Sequence, residues 1–225
     1  MIDLARGLSS RLTFDSGEDR YPAWSSDGSR IAWTATRGGA WQIYQKLSSG
    51  VGAEEVLLKS DVNLGSGSWS ADGRFLLYTR DEPKTNTDIW VLPMAADRQP
   101  TVFLQTPFIE RDGSFSPDGR WIAYASNDQG RPEVYVQTFP VSGGKWQIST
   151  NGGLRSLWRS DGKELYYVSA DGKLMAVEVK PGGSFEATAP RALFDLAPVR
   201  AGGGYTVTAE GDRFLVTNWT AEAKK

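Results

Sequence analysis

Six side chains are placed to grip a charged ligand: Arg20, Tyr21, Glu110, Arg111, Asp112 and Arg155, with Asp19, Asp61 and Arg200 near them in the repeat described below. A guanidinium presents a planar fork of N–H donors that matches a carboxylate or a phosphate bidentately. Carboxylates drawn from separate segments can instead act as an acid and a base. For sugar hydrolysis, Asp19, Asp61, Glu110 and Asp112 would have to supply two such groups about 5–9.5 Å apart. What is missing bounds the rest. The 225 residues contain no His and no Cys, which removes disulfides, thiolate nucleophiles, imidazole acid–base chemistry, Ser-His-Asp triads and Cys/His zinc sites. No cofactor is expected, and any bound metal would be a hard cation on carboxylate and carbonyl oxygens. With 25 Lys+Arg against 27 Asp+Glu the net charge is −2, too balanced for a nucleic-acid grip built on bulk positive charge.

The elements that carry these residues repeat. An aromatic, a short polar stretch, Asp-Gly and an apolar triplet recur as Trp24…Asp27-Gly28 with Ile31-Ala32-Trp33, and as Trp69…Asp72-Gly73 with Leu76-Leu77-Tyr78. They continue as Phe115…Asp118-Gly119 with Ile122-Ala123-Tyr124 and Trp158…Asp161-Gly162 with Leu165-Tyr166-Tyr167. A decayed fifth copy is Val207…Glu210-Gly211 with Phe214-Leu215-Val216, and the glycines are spaced by 45, 46, 43 and 49 residues. Asp-Gly between apolar runs is a hairpin turn, because Gly takes positive φ cheaply and the Asp oxygen accepts turn N–H groups. These aspartates are therefore turn residues before they are catalytic candidates.

A third strand follows each hairpin (41–47, 88–92, 133–138, 173–179), and a weaker fourth follows that (55–58, 101–104, 146–149, 191–194). Four short strands per unit of about 45 residues is the period of a propeller blade. The triplets are apolar on both faces, so each sheet must be covered on both sides, which stacked blades provide without helices. The C-terminal unit supplies two strands between 204 and 219. The N-terminus reads as the missing pair, a third strand at 2–7 and a fourth at 11–14. The expected fold is all-β: one domain, 1–225, forming a five-bladed propeller of four antiparallel strands per blade. Its termini (about 1–14 and 204–219) share one blade as two plus two, and 220–225 form a tail. No apolar run reaches the roughly 18 residues of a membrane helix and no leader pattern follows Met1, so a soluble monomer without membrane insertion is expected.

Aligning the innermost strands on Trp24, Trp69, Phe115, Trp158 and Val207 places Tyr21, Ser66, Asp112, Arg155 and Gly204 three residues earlier. In the expected ring these positions converge on one mouth of a central channel, with Arg20, Glu110 and Arg111 beside them. There the charges either pair and solvate the rim or receive a polar ligand. Trp41, Trp90 and Trp146 read as inter-blade core rather than as a stacking platform.

The pattern W/F-S-x-D-G-x-x-I/L-A/L-W/Y, followed by a D/E-I/V-W/Y third strand as in Asp88-Ile89-Trp90 and Glu133-Val134-Tyr135, resembles the WD-repeat-like propeller repeat of TolB-type proteins. The stretch from Lys145 to Val177 is similar to the sensor propeller attached to bacterial membrane-anchored serine/threonine kinases, although no kinase motif is present. The resemblance implies a non-enzymatic binding or sensor module that recognises a protein, a peptide or a small polar ligand. It also implies a parent protein on the periplasmic or extracellular side of a bacterial membrane. The eroded last copy suggests an excised or engineered piece of a larger protein. Two other readings stand beside it: a five-bladed glycoside hydrolase or a lectin, and a scaffold with no independent activity.

Overall fold

A computed structural model describes the chain except residues 4, 5, 38, 96, 197–203 and 217–225. It divides into two compact units, Met1–Pro107 and Phe108–Lys225. The first holds a hairpin, β1 (Ile2–Asp3) and β2 (Leu8–Ser9), and two four-stranded antiparallel meanders. These are β3 (Asp19–Trp24), β4 (Arg30–Ala35), β5 (Gln42–Leu47) and β6 (Glu55–Leu58), then β7 (Leu64–Trp69), β8 (Phe75–Glu82), β9 (Asn86–Pro93) and β10 (Thr101–Leu104). The second unit holds a third sheet, β11 (Glu110–Phe115), β12 (Trp121–Ser126), β13 (Glu133–Thr138) and β14 (Lys145–Gln147). A fourth follows, β15 (Gly153–Trp158), β16 (Glu164–Ser169) and β17 (Lys173–Lys180), with β18 (Glu186–Ala187) and β19 (Arg191–Asp195) both pairing with β17. A final hairpin is β20 (Tyr205–Val207) with β21 (Phe214–Val216). The expected strands are thus present in every full repeat. Among the described residues no helix is long and apolar enough to cross a membrane.

At the ends, among the described residues, Ile2 and Asp3 pair with Ser9 and Leu8 and Phe214–Val216 pair with β20; Leu4 and 217–219, needed for the expected pairing of the termini, lie outside the described residues. Residues 11–14 are not a strand. Instead Leu12 packs on Ile31, Trp33, Ala35 and Tyr44 of the first sheet, and its carbonyl accepts from Lys46 Nζ at 3.2 Å. Within this segment Leu12 alone covers that apolar face, while Phe14 stays 71% exposed.

The first three repeats build their turn the same way. Ser25, Ser70 and Ser116 donate their hydroxyls to Asp27, Asp72 and Asp118, each at 2.6 Å. The same aspartates accept the N–H of Ser29, Arg74 and Arg120 at 3.0–3.1 Å. In the fourth copy Arg159 replaces the serine and grips Asp161 through Nε at 2.7 Å. Gly28, Gly73, Gly119 and Gly162 all have φ between 69° and 72°, as the Asp-Gly turns require. The triplets that follow are buried on both faces, from Ile31-Ala32-Trp33 to Leu165-Tyr166-Tyr167, none more than 3% exposed. Sheets three and four interlock through Trp121, Trp158 and Phe185, and Trp146 meets Trp121 edge-on at 5.4 Å. Trp90 likewise packs against the core between sheets one and two. The decayed fifth triplet keeps only one covered face: Phe214 and Val216 pack on sheet four, and Leu215 is half exposed.

Two outcomes follow from the turns. A Cβ on Gly119 would meet nothing within 4 Å, so Gly119→Ala should cost about 1–2 kcal/mol, all of it from the left-handed backbone; chemical denaturation measures it, and an unchanged midpoint would mean that the turn adopts another geometry. The hydroxyl of Ser25, then the Ser29 amide, hold the Asp27 carboxyl down at about 2, and Ser70 with the Arg74 amide does the same for Asp72. A folded-state value below the unfolded one near 4 adds stability that is complete above that range and lost as pH falls from about 4 towards 2. The double variant Asp27→Asn, Asp72→Asn should lose less stability than the parent between pH 4 and 2, as read from melting curves across that window.

Candidate functional site

The innermost strand of each full sheet contains a β-bulge, with the register shifting between Arg20 and Ala23, Ser66 and Trp69, Arg111 and Ser114, and Leu154 and Leu157. A bulge adds a residue on one side, bends the strand and re-aims side chains. In three of the four the residue in the bulge is left-handed without being glycine: Tyr21 at φ 52°, Asp112 at 57° and Arg155 at 56°. These are the positions three residues before the aromatics. The fourth, Ser66, does not share the left-handed conformation. It stays paired with Tyr78 and gives its N–H to Thr34 Oγ1 of the neighbouring sheet at 2.6 Å.

In the second unit the left-handed residues meet. Asp112 Oδ2 accepts the Arg155 N–H at 3.1 Å, and the Tyr205 hydroxyl donates to the Arg155 carbonyl at 2.8 Å. One row further along, Ser114 donates to Ser156 O at 3.3 Å and Trp158 Nε1 donates to Ser114 O at 3.2 Å. Neighbouring inner strands β11, β15 and β20 are thereby stitched side chain to backbone, which fixes the spacing of Asp112 and Arg155. Arg111 and Asp112 are exposed and Arg155 is half-buried. Burial, and then the Asp112 carboxylate, push the Tyr205 phenol well above its usual range, so it stays a neutral donor.

The remaining expected site residues divide. Glu110 is buried and accepts the Ser126 hydroxyl at 3.1 Å, so it supports β11 from inside rather than lining a rim. Arg20 and Tyr21 lie in the first unit; Tyr21 is 61% exposed, and Arg20 pairs with Glu18 and lies over the Trp41 ring at 4.6 Å. Arg200 falls outside the described residues. Of the carboxylates weighed for hydrolysis, Asp19 is engaged by Trp33 Nε1 at 3.0 Å and by Arg37 at 2.8 Å, Asp61 is almost fully solvated and 3.9 Å from Arg80, and Asp112 holds the Arg155 amide. Among the described residues no group of three or more acidic side chains is gathered to hold a metal ion.

Two contributors lay outside the sequence reading. Arg37 joins Asp15, Asp19 and Glu54 at 3.6, 2.8 and 3.0 Å, an ion-pair hub fed by two loops and the start of β3 that no repeat alignment brings together. Tyr205 sits one place off the aligned ring position, and only its aromatic type in an otherwise small-residue segment marked it. If the left-handed backbone is strain held for presentation, Tyr21→Gly should leave stability unchanged or raise it by up to about 1 kcal/mol, since the exposed ring contributes little burial; a clear loss of stability in thermal melts would show that Tyr21 serves packing instead.

No family model matches the chain. Over 110 residues it is 31% identical to the Tol-Pal system protein TolB of Desulfosudis oleivorans, covering 49% of this chain and 24% of that protein. Among solved structures it is similar to TolB from Acinetobacter baumannii, with a TM-score of 0.71, 19% identity, and coverage of 89% of this chain and 48% of the other. The periplasmic gluconolactonase PpgL of Pseudomonas aeruginosa also matches, with a TM-score of 0.62, 17% identity, and coverage of 96% and 69%. The chain thus spans a quarter of the curated TolB and about half of the solved one. Taken with the antiparallel four-stranded sheets, these likenesses identify an all-β chain with a TolB-like propeller fold.

Proposed function

We propose that the chain is a non-enzymatic binding or sensor module whose guest is anionic, a peptide C-terminus or a small carboxylate or phosphate, held at the inner-strand bulges. The observation that carries this reading is the left-handed pair Asp112 and Arg155, strained non-glycine residues locked together by the Arg155 N–H. Strain of this kind persists where the surrounding structure over-determines it, and it clusters at ligand clamps. Arg111 beside the pair supplies an exposed guanidinium, and Asp112 rejects an anion that approaches off-centre. Arg20 and Tyr21 occupy the equivalent bulge of the first sheet, in the other unit, and the repeat count favours a five-bladed arrangement. In that arrangement the hairpins β1–β2 and β20–β21 are the two halves of a shared blade, and the chain is a monomer in one domain. The TolB likeness supports a protein or peptide partner on the periplasmic side of a bacterial envelope.

Against catalysis stands the engagement of three of the four candidate carboxylates, Asp19 by Arg37, Glu110 by Ser126 and Asp112 by a backbone amide, which leaves the solvated Asp61 without a second carboxylate to complete an acid–base pair. The test is calorimetric titration with matched peptides ending in a free carboxylate or an amide. The free acids should bind and the amides bind at least tenfold more weakly, with Arg111→Ala, Arg155→Ala abolishing binding at an unchanged melting temperature. Equal binding of both peptide forms, or turnover of aryl glycosides or arabinan, would contradict it. For the shared blade, deleting residues 1–14 should cause aggregation or a large loss of stability; a soluble monomer with unchanged melting would exclude it.

A further inference from the structure

The first and second sheets meet across a seam where Ala32 and Ile43 face Leu76, Tyr78 and Leu92. The register puts Ser66, Tyr78 and Trp90 side by side in one row of the second sheet, and sets Arg80 opposite Asp88 in the next. Trp69 shares that face through its pairing with Leu76. Set among these apolar groups are buried polar atoms with no hydrogen-bond partner in the protein: the indole N–H groups of Trp69 and Trp90, the Ser66 hydroxyl and Asp88 Oδ1. The facing sheet adds Gln45 Oε1, on the same side as Ala32, with which Gln45 pairs. Asp88 is fully buried and Gln45 nearly so, at 4% exposure. The other Asp88 oxygen is satisfied, by the Thr85 hydroxyl at 2.6 Å and Gln105 Nε2 at 2.8 Å. Arg80, the cross-strand neighbour of opposite charge, lies over the Trp90 ring at 5.1 Å and pairs with Glu82 at 2.8 Å and Asp61 at 3.9 Å rather than with Asp88.

Orphaned buried polar atoms are rare in folded proteins, because each forfeits the hydration it had in the unfolded chain. Donors and acceptors gathered on two facing surfaces complement a molecule that both donates and accepts. It must also be small, since the apolar side chains beside them are packed to near-zero exposure. The second unit supplies a contrast at its indole: its seam is closed by aromatic rings and the Trp158 N–H reaches the Ser114 carbonyl directly, although the Ser156 hydroxyl there is also without a partner. We infer that the seam between the first two sheets is an internal hydration site, where water accepts from Trp69, Trp90 and Ser66 and donates to Asp88 Oδ1 and Gln45 Oε1. Buried water of this kind makes two to four hydrogen bonds to otherwise unsatisfied groups and is costly to remove. The inference is independent of the ligand proposed above.

The experiment is water-selective NMR on the uniformly ¹⁵N-labelled chain. The indole Hε1 resonances of Trp69 and Trp90 should show cross-peaks to water with the sign of long-lived hydration, and Trp158 Hε1 should show none. Trp69→Phe and Trp90→Phe assign the signals; through-bond assignment in the parent replaces them if a variant does not fold. Absence of water cross-peaks at both indoles, or equal cross-peaks at Trp158, would overturn the assignment.

Discussion

Everything in this fold depends on sheets that are apolar on both faces. A triplet such as Ile122-Ala123-Tyr124, with no residue exposed, cannot sit in a sheet with one wet side, so each meander must be covered twice. Sheets stacked face to face meet that demand with nothing but strands. The rest follows: short Asp-Gly turns keep the meander tight, aromatic rings fill the seam between sheets three and four, and the inner strands are brought close enough for side chains of one to bond the backbone of the next. The Asp112–Arg155 pair is a product of that closeness rather than a separate feature.

The close approach carries a cost in backbone conformation. Three of four inner strands bulge with a non-glycine residue at φ 52–57°, where glycine would sit without strain. The sheet that escapes the strain, the second, has Ser66 in its pairing ladder, with glycines on either side; a Cβ on Gly67 would come within 2.8 Å of the Leu77 carbonyl. Strain is thus kept where the side chains are charged or aromatic and relieved where the residues are small. That distribution sets Tyr21, Asp112 and Arg155 apart from Ser66 in backbone conformation.

Most of the architecture was legible in the residues because the repeat is strong: the turn aspartates, their glycines and the buried triplets sit in register four times over. What was not legible depends on neighbours rather than on residue type. Trp24 aligns with Phe115 and Trp158, yet it is 53% exposed while they are 6% and 7%; its burial is decided by what packs on that face. Residues 11–14 alternate weakly enough to pass for an edge strand, but they form none, and Leu12 covers an apolar face instead. Of the site, the charged residues and their equivalence were readable from spacing, whereas the left-handed backbone, the burial of Glu110 and the part played by Tyr205 arise from the bulge and could not be read from composition.

The central claim, that the inner-strand bulges form an anion-recognising surface, is tested most directly by mapping amide shifts in ¹H–¹⁵N spectra during titration with a peptide ending in a free carboxylate. The account predicts saturable shifts at Arg111, Asp112, Gly113 and Arg155, together with the Arg111 Nε resonance, and little change in the outer strands β10 and β14. Shifts confined to outer strands or loops, or none at saturating peptide, would contradict it.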